Sequence, residues 1–271
     1  MSTINDTATA GHLQLCDVTK VFANRGKDVT AVDRISLDIA PGEFITLLGP
    51  SGCGKTTTLR MVAGFEDTTS GRVVLDGEDM VTLPPNKRPM SMVFQSYALF
   101  PHLSVRDNVS YGLKLRHLSA DELRERVDVA LASMNLTVLA DRAPNELSGG
   151  QQQRVFLAMT LAQDTPYLLL DEPTTYLDLN HQVTLMSLMR TRQQQGRTVI
   201  TVLHDLNQAA RYCDYLVVLK AGELIAAGEP EQVLTPALLA EVFAVAAQPF
   251  SCPYSHRPMC IIENALEARP G

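Results

Sequence analysis

The chain has 271 residues, 45% of them hydrophobic, with a formal net charge of −7 and a pI of about 5.4. That is enough apolar material for one large domain or a domain with a subdomain, and the acidic balance excludes a global electrostatic footprint for nucleic acid. Five scattered cysteines, Cys16, Cys53, Cys213, Cys252 and Cys260, fit reduced thiols better than a disulfide framework.

Residues 1–12 lack the charged-then-apolar pattern of a signal peptide and read as a flexible N-terminus. No apolar run approaches the roughly 18 to 20 residues a membrane span needs, so a cytosolic protein is expected. Short β-branched runs then alternate with helical segments, the pattern of an α/β fold with a largely parallel, buried sheet. EFITLLG (43–49) reads as a core strand. Directly behind it, GPSGCGKT (49–56) satisfies G-x-x-x-x-G-K-[ST] and leads into the helical run TTLRMVAG. Its glycines let backbone N–H groups wrap a polyphosphate, and the helix adds its positive end. Lys55 and Thr56 are placed to reach phosphate and Mg²⁺. Cys53 fills a variable slot of the loop.

The region 96–147 holds charged helical stretches such as SADELRERVDVALASM and few strand-like runs, so it reads as an inserted helical subdomain. In LSGGQQQRV (147–155), Ser148 can cap a helix whose apolar positions Val155, Phe156, Met159 and Ala162 fall at helical spacing. Gly149 and Gly150 then lie at a dipole-positive helix start, a second anion site. Two such sites in one chain invite a head-to-tail pair of copies, each copy's second site closing over the other's ATP. YLLLD (167–171), TVITVLH (198–204) and YLVVLKAG (215–222) are further core strands. A carboxylate ending a buried strand beside a phosphate loop is where Mg²⁺ is held, which assigns Asp171. Glu172, one residue further, can poise water for attack on the γ-phosphate. Beyond 229, PEQVLTPALLAEVFAV reads as one helix, followed by an irregular tail over 251–271. In the tail, CPYSHRPMC offers two thiols and an imidazole, short of the four ligands of a structural zinc site, and reads as a loop packed on the domain.

GPSGCGKT, LSGGQ and LLLDEP together resemble the ATP-binding subunit of ABC transporters, over about residues 13–263. The resemblance implies a P-loop NTPase core with a mostly parallel sheet, an antiparallel N-terminal β subdomain and the inserted α-helical subdomain, spanning 13–250. It implies ATP and Mg²⁺. One copy would hold nucleotide through Phe22, stacked on adenine, and through Gly49, Pro50, Ser51, Gly52, Cys53, Gly54, Lys55, Thr56 and Thr57. The other copy would supply Ser148, Gly149, Gly150, Gln151 and the crossing Asp178. Thr56, Gln95 and Asp171 would serve the metal. Glu172 as general base, His204 on the γ-phosphate, Gln95 and Lys55 would carry the chemistry. Phe22 has a competing reading as a buried aromatic. His204 ends a parallel strand at the ligand-bearing edge, whereas His102 and His181 lack such support and read as structural.

The likeness changes along the chain. Residues from about 13 to 155 resemble importers of polyamines, ferric iron, sulfate and sugars, many of which carry a further C-terminal regulatory domain. From FLAMT onward, with LDEPTTYLDLNHQ and VLHDLNQAARYCDYLVVLKAGELIAAGEP, the chain resembles ferric citrate and ferric siderophore importers. Ferric iron, free or chelated, is the cargo common to both groups and the one expected, with polyamine as the alternative. The partners implied are a second copy, integral membrane permease subunits docked around Gln95 and the helical subdomain, and indirectly a periplasmic or surface substrate-binding protein. The place implied is the cytoplasmic face of the inner membrane. A soluble ABC ATPase working on ribosomes or DNA is the alternative of another class, but such proteins usually carry two such domains or a long coiled-coil insertion.

Overall fold

Four runs buried at every position, FITLL, MSMV, YLLLD and TVITV, build the centre of the molecule. The computed structural model describes residues 10–23, 26–94, 99–116, 118–175 and 177–266. The chain begins with β1 (Leu13–Phe22), β2 (Val29–Ile39), β3 (Phe44–Leu48), α1 (Lys55–Ala63), β4 (Ser70–Leu75), β5 (Glu78–Asp79) and β6 (Met90–Val93). Then come α2 (Val105–Lys114), α3 (Ala120–Ser133), α4 (Gly149–Ala162), β7 (Tyr167–Asp171), α5 (Leu179–Gln194), β8 (Thr198–Val202) and α6 (Leu206–Tyr212). It closes with β9 (Tyr215–Lys220), β10 (Glu223–Gly228), α7 (Pro230–Val233), α8 (Pro236–Phe243), β11 (Val245–Ser251) and β12 (Pro258–Ala265).

The main sheet has the order β10-β9-β3-β8-β7-β6, parallel except where β10 returns against β9. Its strands are apolar on both faces because both faces are covered. On one side Phe44, Leu48, Leu168, Leu170 and Val199 pack with residues of α2 through α6 and α8. On the other, Ile45, Leu47, Leu169, Ile200 and Val202 pack with α1 and with the antiparallel sheet β2-β1-β4-β5. Between β6 and β7 the chain forms α2 and α3, which lie within the region 96–147 expected to be helical, and then α4, which starts beyond it. Polar caps define its helices: Ser104 accepts the Asp107 N–H, and Ser119 forms a reciprocal capping box with Glu122.

The strand order decides where chemistry can occur. Because β3, β7 and β8 are parallel neighbours, with Asp171 level with Val202 and Val202 level with Leu47, the segments that follow these three strands open at one edge of the sheet.

The C-terminal region departs from expectation. The single helix foreseen over PEQVLTPALLAEVFAV is two, because Pro236 cannot continue a helix and instead starts α8 behind the Thr235 cap. The tail is not irregular: β11 and β12 form an antiparallel hairpin with Val245 opposite Ala265 and Ser251 opposite Pro258. Asn207 of α6 clamps it, donating to the Cys260 carbonyl at 3.2 Å and accepting the Cys260 N–H at 2.7 Å. Burial pushes the Cys260 thiol up, while hydrogen bonds from Ser255 and Tyr254 bring Cys252 down to about 7. Among the described residues no group of three His, Cys, Asp or Glu side chains is gathered to hold a metal.

Candidate active site

The segment from β3 to α1 is shaped by glycine. Gly49 has φ +145°, and a Cβ there would stand 2.1 Å from the Leu219 carbonyl oxygen. Gly54 has φ +103°, and its Cβ would meet the Ala31 carbonyl at 2.4 Å. No other residue fits either place. Gly54 is also the N-cap of α1 and offers no side chain to the first turn, which holds no acid, so no side chain caps the N–H groups at this positive helix end. Lys55 is 5% exposed and folds back over the loop, its ammonium donating to the carbonyls of Gly49 at 2.7 Å and Pro50 at 2.9 Å. Cys53 is buried.

Ala31, Ser51, Gly52, Cys53, Gly54, Lys55, Thr56, Thr57, Glu172 and His204 line an open cleft of about 250 Å³. Ala31, contributed by β2, was invisible to motif reading. At the cleft, two acids that are adjacent in sequence have different surroundings. Asp171 is fully buried at the end of β7, where its Oδ1 accepts the Thr56 hydroxyl proton at 2.8 Å. Its Oδ2 is buried with no hydrogen-bond partner. Burial pushes this carboxyl up, the Thr56 bond opposes that, and neighbouring Glu172 adds to it. A buried carboxylate with one orphaned oxygen beside a threonine hydroxyl is a donor set that suits a hard divalent cation.

Glu172 turns away. Its φ of +50° is left-handed, which costs a non-glycine residue roughly 1 kcal/mol, and its N–H donates to the Val202 carbonyl at 3.2 Å. The side chain reaches His204 beyond β8, with Oε1 and Nε2 2.7 Å apart. Glu172 and His204 thus meet across two parallel strands.

The remaining candidates lie elsewhere. Ser148 caps α4, accepting the Gln151 N–H at 3.3 Å while Gln151 Oε1 accepts the Ser148 N–H at 2.9 Å. Ser148 and Gly149 are exposed, and a Cβ on Gly149 would touch nothing within 4 Å, so packing within one copy does not demand glycine there. Asp178 caps α5 by accepting the His181 N–H at 2.9 Å, a bond that also holds its carboxyl below the usual range. His181 Nδ1 lies 2.7 Å from the same carboxylate, so this histidine has a local role. None of Ser148, Gly149, Gly150, Gln151 or Asp178 lines the cleft. Phe22 is 40% exposed at the end of β1, with the Lys20 ammonium 5.0 Å from its ring centre, which corrects the buried-aromatic reading. Gln95 lies outside the described residues.

A glycine loop between a central parallel strand and a helix, with an acidic strand end beside its threonine, defines a P-loop nucleotide-binding site. Residues 32–175 match the family described as ABC transporter, and the chain belongs to that family. It is 48% identical over 222 residues to the spermidine/putrescine import ATP-binding protein PotA of Frankia alni, covering 82% of this chain and 48% of that protein. It is likewise 48% identical over 228 residues to the Fe(3+) ions import ATP-binding protein FbpC of Agrobacterium fabrum, covering 84% of this chain and 64% of that one. The chain therefore spans about half to two thirds of the length of these relatives. Among solved structures it resembles the ATP-binding cassette MJ0796, described as dimeric, in a post-hydrolysis state and bound to ADP and Pi. The TM-score is 0.75 at 33% identity, over 80% of this chain and 98% of that one.

Proposed function

We propose that this chain is the ATP-hydrolysing subunit of an ABC importer, working as a pair of copies on the cytoplasmic face of a membrane. The observation that carries the reading is the contact between Glu172 and His204 in a cleft walled by GPSGCGKT, with the Thr56–Asp171 pair behind it. In this reading Lys55 and the first-turn N–H groups of α1 hold the nucleotide's phosphates. Thr56 and Asp171 would hold Mg²⁺, aided by Gln95, and the ion supplies neutralising charge on the phosphate oxygens. Glu172 accepts a proton from the attacking water, and ATP and water become ADP and phosphate. His204 keeps the Glu172 carboxylate in place and faces the γ-phosphate. Phe22 stacks on adenine.

Ser148, Gly149, Gly150, Gln151 and Asp178 serve the nucleotide of the other copy. The exposure of Ser148, Gly149 and Asp178 and the absence of all five from the cleft lining support this, as does the dimeric state of the similar cassette. Closure around ATP then becomes motion that permease subunits can use, and hydrolysis reopens the pair. Among the described residues no helix is long and apolar enough to cross a membrane.

For cargo we favour ferric iron or ferric chelates, supported by the FbpC relatives. Polyamine is the second reading, supported by the PotA relatives. Purification of the chain with its membrane partner, followed by uptake of labelled ferric citrate against labelled spermidine, tests both. Iron-dependent uptake that requires Glu172 is the expected result, and spermidine uptake alone replaces the cargo. Sedimentation with ribosomes, with no membrane partner, overturns the transport reading.

A further inference from the structure

The chain between Glu172 and Asp178 joins two candidate site residues, and several of its carbonyls find their donors in other elements. Glutamine amides supply these donors. Gln153 of α4, fully buried, donates to the Pro173 carbonyl. Gln182 of α5 donates to the carbonyls of Thr174 at 3.1 Å and Leu177 at 2.9 Å. Gln208 of α6 in turn donates to Gln182 Oε1 at 2.8 Å. With its oxygen taken by that bond, Gln182 must turn its NH₂ toward the segment. Gln208 lies four residues beyond His204, so the amide pair joins the two segments whose ends meet at the Glu172–His204 contact.

We infer that Gln182, oriented by Gln208, is a positioning residue that holds Thr174 and Leu177 so that Glu172 keeps its left-handed backbone and faces His204. The inference rests on the ATPase reading above. Left-handed Glu172 is strained, and strain persists only where surrounding bonds over-determine it. The Gln182 bonds are of that kind, falling two and five residues after Glu172. They also give a role to the glutamine of HQ after the YLDLN run and to that of NQA after the strand-end histidine. The Gln182 side chain bonds no residue of the cleft lining, and its backbone bond to the Asp178 carbonyl survives a side-chain replacement, so its removal alters how Glu172 is presented more than how ATP is held.

The test is steady-state ATP hydrolysis by the full chain, with melting temperature measured in parallel. Gln182→Met keeps the volume and removes the donors. It is expected to lower kcat about tenfold, the scale of one or two lost hydrogen bonds, with KM for ATP changed less than about twofold. Gln208→Met, which removes only the orienting bond, is expected to lower kcat less. The double variant should be no slower than Gln182→Met, because the two amides act in series. An unchanged kcat in folded Gln182→Met, or a multiplicative loss in the double variant, overturns the inference. If Gln182→Met does not fold, Gln208→Met alone decides, and an unchanged kcat there also overturns it. Absence of hydrolysis in the unaltered chain is a different result and defeats the ATPase reading itself.

Discussion

Two regions of the molecule are built in opposite ways. At the phosphate loop, Lys55 and Asp171 are buried and bonded within the chain, to Gly49, Pro50 and Thr56. At the start of α4, Ser148 and Gly149 are exposed, and nothing would obstruct a side chain on Gly149. Asp178 is likewise exposed, at 66% of its side-chain area. A site completed inside one copy would show the same burial at both places. The difference suits a composite site in which one half is pre-formed and the other meets its ligand only when a second copy closes on it.

Replacing Glu172 tests that contrast with the largest effect. Glu172→Gln should reduce phosphate release about 10²- to 10⁴-fold, the usual weight of a positioned general base. ATP-dependent dimers should remain visible by size-exclusion chromatography, and a variant that stays monomeric in MgATP argues against the composite site. Complementation sharpens the point. Lys55→Ala and Ser148→Arg should each be inactive alone, since each damages both sites of a symmetric pair. Mixed together they should recover hydrolysis, because a mixed pair collects both lesions in one site and leaves the other intact. A mixture as inactive as its parts would place Ser148 in the same site as Lys55 of its own copy.

Asp171 gives a smaller effect, in stability. Its carboxyl is pushed up by burial, so ionising it costs the folded chain free energy. An acid with a raised folded pKa contributes stability below its ordinary titration range and loses it as pH rises through the folded value. Asp171→Asn should therefore raise the melting temperature of the nucleotide-free chain near pH 7, with the gain shrinking as pH falls to about 4. Hydrolysis should be lost at the same time. An unchanged melting temperature would mean that Asp171 carries no ionisation strain. Asn207→Ala is expected to matter least, costing about 1 to 2 kcal/mol at the tail hairpin. Faster amide exchange at Cys260 would report it, and unchanged exchange would show that the clamp contributes nothing.

Much of the candidate site was legible because its residues act through local geometry. GPSGCGKT and the Ser148 cap are shaped within a few residues of themselves, and LLLDE shows its acids at the end of an apolar run, so spacing alone marks them as candidates. Residues that act at long range were less visible. Ala31 enters the cleft from β2 through the approach of its carbonyl to Gly54, and no pattern around it signals that. Gln182 and Gln208 look like ordinary polar helix residues until their amides are seen to meet. The tail misled because prolines such as Pro253 and Pro258 suggested irregular chain. Pro258 instead starts β12, a position where a missing N–H does little harm.

By itself the sequence determined the alternation of strands and helices, the phosphate loop, and the two acids in consecutive positions, since each follows from residue type and short spacing. Only the tertiary structure decided the order β9-β3-β8-β7, and with it the contacts of Thr56 with Asp171 and of Glu172 with His204. Strands buried on both faces carry the same apolar signal whichever neighbour they take. The choice among them is made by packing across the whole sheet, and the geometry of the cleft follows from that choice.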